Sequence, residues 1–202
     1  MTQGADEELL ERWRAGDKAA GNELLSRYFG PVRRFFATKI SGDDVKDLVQ
    51  RTFAGCVEGA ERFRGDGSFR AFILAIARRQ LYKYLRDRSR HSARDQPDLS
   101  VSSVVALGQS PTSVIAAAQR EEVLLQALQR IPVEQQTLLE LHYWERLPAP
   151  ELAQVLDIEP GTVRVRLHRA RRAVERVLTE LVGPDGEPVD VETTARVLGL
   201  AV

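Results

Sequence analysis

The segment ERLPAPELAQVLDIEPGTVRVRLHRARRAVERVL, residues 145–178, constrains the fold more than any other part of the chain. Two runs of helical apolar spacing meet at a short polar break, so the segment predicts two helices joined by a tight turn. At about 100° per residue, Val163, Leu167, Ala170 and Val174 of the second helix share one stripe. Val165, His168, Arg169, Arg172 and Arg176 lie opposite them, with Arg164, Arg166 and Arg171 on the flanks. Solvated helix faces usually mix signs, and this one is almost all arginine. A cationic amphipathic helix entered from a short helix and a turn matches the width and charge of a DNA major groove.

The remaining chain also reads as helix, because no segment keeps a two-residue alternation. Helices are expected over residues 6–15, stopped by Gly16, and over about 18–39, where Gly30-Pro31 should kink or break the run. Asp43 and Asp44 offer cap oxygens for a third helix to about Arg62 with the inner stripe Val45, Leu48, Val49, Phe53, Cys56, Val57 and Ala60. After the loop RFRGDGS, Ser68 should cap a helix from Phe69 to about Arg88. Residues 95–112 are rich in Ser, Pro and Gln and lack lysine and arginine, the composition of an extended linker. Helices resume over 113–130 and 133–145. The expected fold is all-α: two small helical domains, residues 1–94 and 113–182, a flexible linker between them at 95–112, and an acidic C-terminal extension at 183–202. The C-terminal domain is the helix-turn-helix.

Charge is informative only locally. Lys plus Arg and Asp plus Glu balance at 29 each, yet from Arg78 to Arg94 seven basic residues face one acid, Asp87. Within this stretch Tyr82 and Tyr84 are interleaved with Arg79, Lys83 and Arg86. Cations hold phosphates while aromatic rings stack on bases, a combination suited to unstacked or single-stranded nucleic acid.

No catalytic constellation is present. His91, His142 and His168 fall in separate elements, without a carboxylate or cysteine at ligand spacing. Gly65 and Gly67 flank an acid between two helices rather than cradling phosphate after a strand. Cys56 is the single cysteine and lies on an apolar helical face, so it reads as a packing thiol. No catalytic residue, metal or cofactor is expected. The longest apolar run, Ala71 to Ala77, is far too short to span a bilayer, and no signal segment opens the chain. A reducing cytoplasmic setting is the expectation.

The order of these pieces resembles an extracytoplasmic-function (ECF) sigma factor of the sigma-70 family, the dissociable promoter-recognition subunit of RNA polymerase. DDVKDLVQRTF followed by ERFRGDGSFRAFILAIARRQLYKYLRDR is similar to the family's region 2; LQRIPVEQQTLLELHYWERL and PELAQVLDIEPGTVRVRLHRAR are similar to its region 4. The resemblance implies that Asp44, Asp47, Leu48, Gln50 and Arg51 meet core RNA polymerase. It implies that the loop Arg62, Phe63, Arg64, Gly65, Asp66, Gly67 and Ser68 captures a flipped base of the −10 element, while Arg78, Arg79, Tyr82, Lys83 and Arg86 follow that strand. In region 4 it implies base reading at the −35 element by Arg164, Val165, His168 and Arg169, beside Thr162, with Arg166, Arg171 and Arg172 on phosphates. Core polymerase and promoter DNA are the implied partners, and an anti-sigma factor is a further candidate. The linker would thread through the polymerase near its active centre and RNA exit path.

This chain departs from the family pattern at several positions. Arg51 stands where an acid is usual, and Gly55-Cys56 where a bulkier run is usual. Pro148 and Pro150 open the first helix of the helix-turn-helix, where a first-turn proline is tolerated. Asp157 stands where the turn usually has glycine, and Val165 where serine is common; valine can touch a thymine methyl but cannot hydrogen-bond a base edge. Two other readings remain: a conventional helix-turn-helix regulator that is no polymerase subunit, which leaves the first basic cluster unused, and an RNA-binding adaptor. The tail's Val191 to Leu200 would dock on region 4 if it has a partner within the chain.

Overall fold

The computed structural model describes residues 3–63, 65, 67–91 and 115–182, which form eight helices. The linker, the tail, and the expectations attached to them lie outside the described residues. The N-terminal domain consists of α1 (Gln3–Arg14), α2 (Lys18–Ala37), α3 (Asp44–Ala60) and α4 (Phe69–His91). The C-terminal domain consists of α5 (Ile115–Gln129), α6 (Val133–Tyr143), α7 (Ala149–Leu156) and α8 (Pro160–Val182).

Local chemistry sets most boundaries. Gly16 adopts φ +100° between α1 and α2, a conformation that side chains resist. Asp17 then caps α2, its Oδ1 accepting from the N–H groups of Ala19 (3.0 Å) and Ala20 (3.1 Å). Ser68 caps α4 in the same manner through the Ala71 N–H at 3.1 Å. Pro160 opens α8, where its missing N–H costs no helical bond.

Three local expectations are corrected. The helix at Gly30-Pro31 does not break: α2 runs through Pro31 to Ala37, with Val32, Phe35 and Phe36 buried on its inner side. Each such side chain contributes about 1.5–3 kcal/mol of burial, enough to outweigh one lost backbone bond. Asp43 sits at the start of α3 but makes no side-chain cap bond, and the Asp44 carboxylate instead accepts from the Tyr84 hydroxyl at 2.6 Å. Val57, placed on the inner stripe of α3 by its spacing, is 50% exposed, since one helix face cannot turn seven apolar positions inward.

The two domains do not stand apart. Tyr28, Phe36, Leu48, Leu74 and Leu81 of the first belong to the same buried apolar cluster as Leu124, Leu141, Leu152 and Val163 of the second. Polar groups cross the join as well. Lys39, two residues past the end of α2, pairs with Glu140 of α6, both almost wholly buried, and Arg34 pairs with Glu145 at 2.8 Å. Cys56 is buried within α3, and burial pushes its thiol up to about 12.

Candidate nucleic-acid interfaces

The C-terminal surface is the outer side of α8. Val163, Leu167, Ala170, Val174 and Leu178 are buried against α5 to α7, which fixes the rotation of the helix and so the face it offers. Thr162, Arg164, Val165, His168, Arg169, Arg172 and Arg176 are exposed. Val165 is 51% exposed, an apolar side chain in water amid arginines. A single exposed valine is ordinary on a protein surface; covering it with an apolar group would add a favourable contact.

The flanking arginines are engaged within the protein. Arg166 donates to Glu134 of α6 at 2.5 Å, and the Arg171 guanidinium lies over the buried Tyr143 ring, 5.5 Å from its centre. Both are half-buried. Their expected phosphate contacts would therefore require these internal partners to be given up. The turn before α8 is built on Asp157, which adopts φ 55° and ψ 54°. Its neighbour Ile158 donates its N–H to the Ala153 carbonyl at 3.0 Å, closing the C-terminus of α7.

The N-terminal surface joins the loop after α3 to α4. Phe63 packs its ring 4.7 Å from Phe72, and the Arg14 guanidinium donates to its carbonyl. Arg62 and Gly65 are exposed; Arg64 and Asp66 lie outside the described residues. Gly67 has φ +111°, a conformation that strains any larger residue, and a Cβ there would meet the Gln154 amide oxygen of α7 at 2.5 Å, so that side chain would have to swing away. A cleft of about 480 Å³ lies between this loop and α7, lined by Arg62, Phe63, Phe72 and Gln154 among others.

Along α4, Arg79, Lys83 and Arg86 are exposed, whereas Arg78 and Tyr82 are half-buried. The Arg78 guanidinium covers the Tyr82 ring at 4.6 Å, and burial raises the Tyr82 phenol above its ordinary value. One face of the Tyr82 ring is thus covered by Arg78, while the Arg88 guanidinium lies 6.0 Å from the Tyr84 ring centre. Tyr84 donates to Asp44 and accepts from Arg88 at 2.7 Å.

On α3 the expected polymerase-facing residues divide. Asp47 and Arg51 form an exposed pair at 2.7 Å one turn apart, and Gln50 is exposed beside them. Leu48 is corrected: at 1% exposure it belongs to the core and cannot touch a partner. The apolar period that made it an inner residue should have removed it from the outer face. Sequence reasoning also missed a surface aromatic contact: Phe29 of α2, 55% exposed, stacks on the half-buried Phe53 of α3 at 6.2 Å. Its signal in the sequence is weak, because both spacings are compatible with a core stripe. Glu134, Glu140, Glu151 and Gln154, which face the first domain, gave no signal at all.

Among the described residues no helix is long and apolar enough to cross a membrane, and no group of three His, Cys, Asp or Glu is placed to hold a metal ion.

Comparison with known proteins agrees with this geometry domain by domain. The family model for sigma-70 region 2 matches residues 24–91, covering most of α2 with α3 and α4, and that for sigma-70 region 4 matches residues 121–174, from within α5 through α6 and α7 into α8. The ECF RNA polymerase sigma-E factor of Haemophilus influenzae is 28% identical over 186 residues, spanning 89% of this chain and 98% of the relative. Its counterpart in Escherichia coli K12 is 26% identical over 186 residues, with 89% and 97% covered. Among solved structures, CnrH in complex with the cytosolic domain of CnrY has a similar fold, with a TM-score of 0.62 at 22% identity over 87% of this chain and 98% of that one. The sigma factor RpoE of Bartonella quintana, in complex with the anti-sigma factor NepR, gives a TM-score of 0.60 at 20% identity over 78% and 96%. With both sigma-70 regions present in the family's order on the two domains, the chain belongs to the sigma-70 family and is an ECF sigma factor.

Proposed function

We propose that this sigma factor binds core RNA polymerase through the exposed side of α3, reads the −35 element with α8, and holds the opened −10 strand with the loop at Arg62–Ser68 and α4. The observation that carries the reading is the pairing of two cationic surfaces of different character on the two domains. The α8 surface is a smooth helix face with Arg164, Val165, His168 and Arg169 exposed, suited to a duplex groove. The other joins a loop and cleft to a basic helix, suited to an extruded base.

The sigma factor itself makes and breaks no bond. Opening DNA costs a few kcal/mol for each unstacked base. A surface that binds only the opened strand offsets that cost and traps the bubble, while phosphate contacts from Arg172 and its neighbours set register. This assignment places the protein in the cytoplasm with the polymerase. A regulator that is no polymerase subunit would need only the α8 surface and leaves the α4 surface without a role.

Gel filtration of the purified chain with core RNA polymerase tests the reading. A one-to-one complex that initiates at discrete chromosomal start sites supports it. Tight duplex binding by the free chain, with no polymerase complex, would replace it with the regulator.

A further inference from the structure

Helix α1 reaches the loop assigned to the −10 strand. The Arg14 guanidinium donates through Nε and Nη2 to the Ala60 carbonyl at 3.2 and 3.1 Å, and Nη2 donates to the Phe63 carbonyl as well. It also lies 6.0 Å from the centre of the Phe63 ring. Ala60 is the last residue of α3, and Phe63 stands in the loop that follows. One side chain of α1 thus holds the point where the chain leaves α3.

The chemistry of that point favours a cation. The last carbonyls of a helix have no partner within it, and the helix dipole makes its C-terminus a favourable place for positive charge. Helix α3 carries no basic residue in its last turn, and its C-cap Glu61 stays right-handed at φ −67° instead of turning into a glycine-type cap. Arg14 supplies from 46 positions earlier what α3 lacks. A planar fork that reaches two carbonyls also fixes their relative position, which a single-nitrogen cation does less well.

The far end of the loop is anchored too. The Ser68 Oγ accepts from the Ala71 N–H at 3.1 Å, and the Phe63 ring packs against Phe69 and Phe72 of α4. Between these anchors stand Gly65 at φ +82° and Gly67 at φ +111°. Glycine loses more backbone freedom on ordering than any other residue, so the shape of the loop depends on how firmly its ends are held. Where only a fraction of molecules has the binding shape, apparent affinity falls by that fraction.

Helix α1 does not need Arg14 to stay in place. Leu9 and Leu10 are buried, and the Asp6 carboxylate accepts from Arg27 at 3.0 Å and from the Tyr28 hydroxyl. Trp13 lies so close to Gly21 that a Cβ there would meet its ring. Loss of the Arg14 guanidinium therefore frees the loop and leaves the helix. The contact also comes from outside the residues matched by the region 2 family model, 24–91.

We propose that Arg14 is a positioning residue for capture of the −10 strand: α1 shapes the loop at Arg62–Ser68 from behind and so sets its affinity for the opened strand. The inference rests on the sigma reading for what the loop captures, not for what holds the loop.

The test compares the parent chain with Arg14→Ala, Arg14→Lys and Arg12→Ala. Arg12 lies on the same helix but pairs with Asp17 at 2.7 Å, so its loss perturbs α1 and spares the loop. In amide proton–nitrogen spectra of the free chain, the Gly65 and Gly67 signals should shift in Arg14→Ala and stay unchanged in Arg12→Ala. The holoenzyme with core RNA polymerase is then given DNA carrying the elements selected by the parent holoenzyme. Arg14→Ala should bind a fork junction with a single-stranded −10 segment about tenfold more weakly, the loss of one charge-assisted hydrogen bond. Its affinity for a duplex fragment holding the −35 element alone should not change. Arg14→Lys keeps the charge without the fork and should recover about threefold of that loss. Unmoved glycine signals overturn the proposal even where fork binding weakens, since Arg14 then touches the strand itself. Equal weakening on both DNAs, or the same weakening in Arg12→Ala, overturns it in favour of a general role in stability. If the parent chain forms no complex with polymerase, the sigma reading fails, and the glycine signals still decide whether Arg14 shapes the loop.

Discussion

Replacing Asp157 with glycine should stabilise this protein, although the change removes a charged side chain from a DNA-binding motif. Asp157 holds φ 55° and ψ 54°, where the side-chain Cβ crowds the backbone at a cost of about 1–2 kcal/mol for an L-residue, somewhat less for aspartate. Its side chain is exposed and takes no cap role, so the Ile158 to Ala153 bond at 3.0 Å survives the change. Glycine removes the crowding but adds about 0.5–1 kcal/mol of backbone entropy lost on folding. The difference leaves a net gain of roughly 0.5–1 kcal/mol, a rise in Tm of about 1–4 °C for a chain this long. Asp157→Val applies the opposite perturbation, because a β-branched residue at positive φ is strained further, and should lower Tm by several degrees. Calorimetry or far-ultraviolet melting of the three proteins reads the order glycine, aspartate, valine. If glycine melts below aspartate, the strain argument is wrong and the carboxylate must stabilise the turn in another way. The effect reaches function, because this one residue sets the angle at which α8 leaves α7.

Other surfaces give further expectations. Val165→Ala should weaken discrimination at one position of the −35 element by about fivefold, the loss of roughly 1 kcal/mol of methyl contact; a selection on randomised duplexes with holoenzyme reads it, and unchanged preference at every position refutes it. Arg172→Ala should lower affinity for all duplexes alike and reduce the slope of log affinity against log salt by about 1; a loss confined to one sequence would instead make Arg172 a base reader. The Cys56 thiol, fully buried, should resist aromatic disulfide reagents until denaturant is added. Because burial raises it to about 12, the folded chain keeps the thiol protonated while the unfolded one ionises near its ordinary ~8.5. Its stabilising contribution is thus complete below about 8.5 and is lost as pH rises toward 12. Cys56→Ala should accordingly lose less stability than the parent between pH 8 and 10 in urea titrations, and equal losses would contradict the assignment.

Much of this protein was legible because helical periodicity is a local property. The spacing of Val163, Leu167, Ala170 and Val174 alone fixed which side of α8 is buried, and therefore which arginines face water. The caps at Asp17 and Ser68 and the stop at Gly16 likewise need only a few consecutive residues. Errors arose where packing overrode a local rule. Pro31 is carried through α2 by the apolar side chains around it, and Val57 is left outside by a stripe too wide for one face, whereas Leu48 lies in the core beside Val49, as its own apolar period requires. The relation between the two domains was not written in any local pattern. Lys39 and Glu140 are separated by 101 positions and look like two ordinary surface charges in the sequence. Only the folding of both domains brings them together in a dry interface, where each makes the other's charge tolerable. Within α4 itself, the Arg78 guanidinium covers the Tyr82 ring one turn away. Sequence by itself determined what each helix can bind, since side-chain order along a helix decides its faces. Tertiary structure decided whether those faces are available, since burial of a charge depends on every element packed around it.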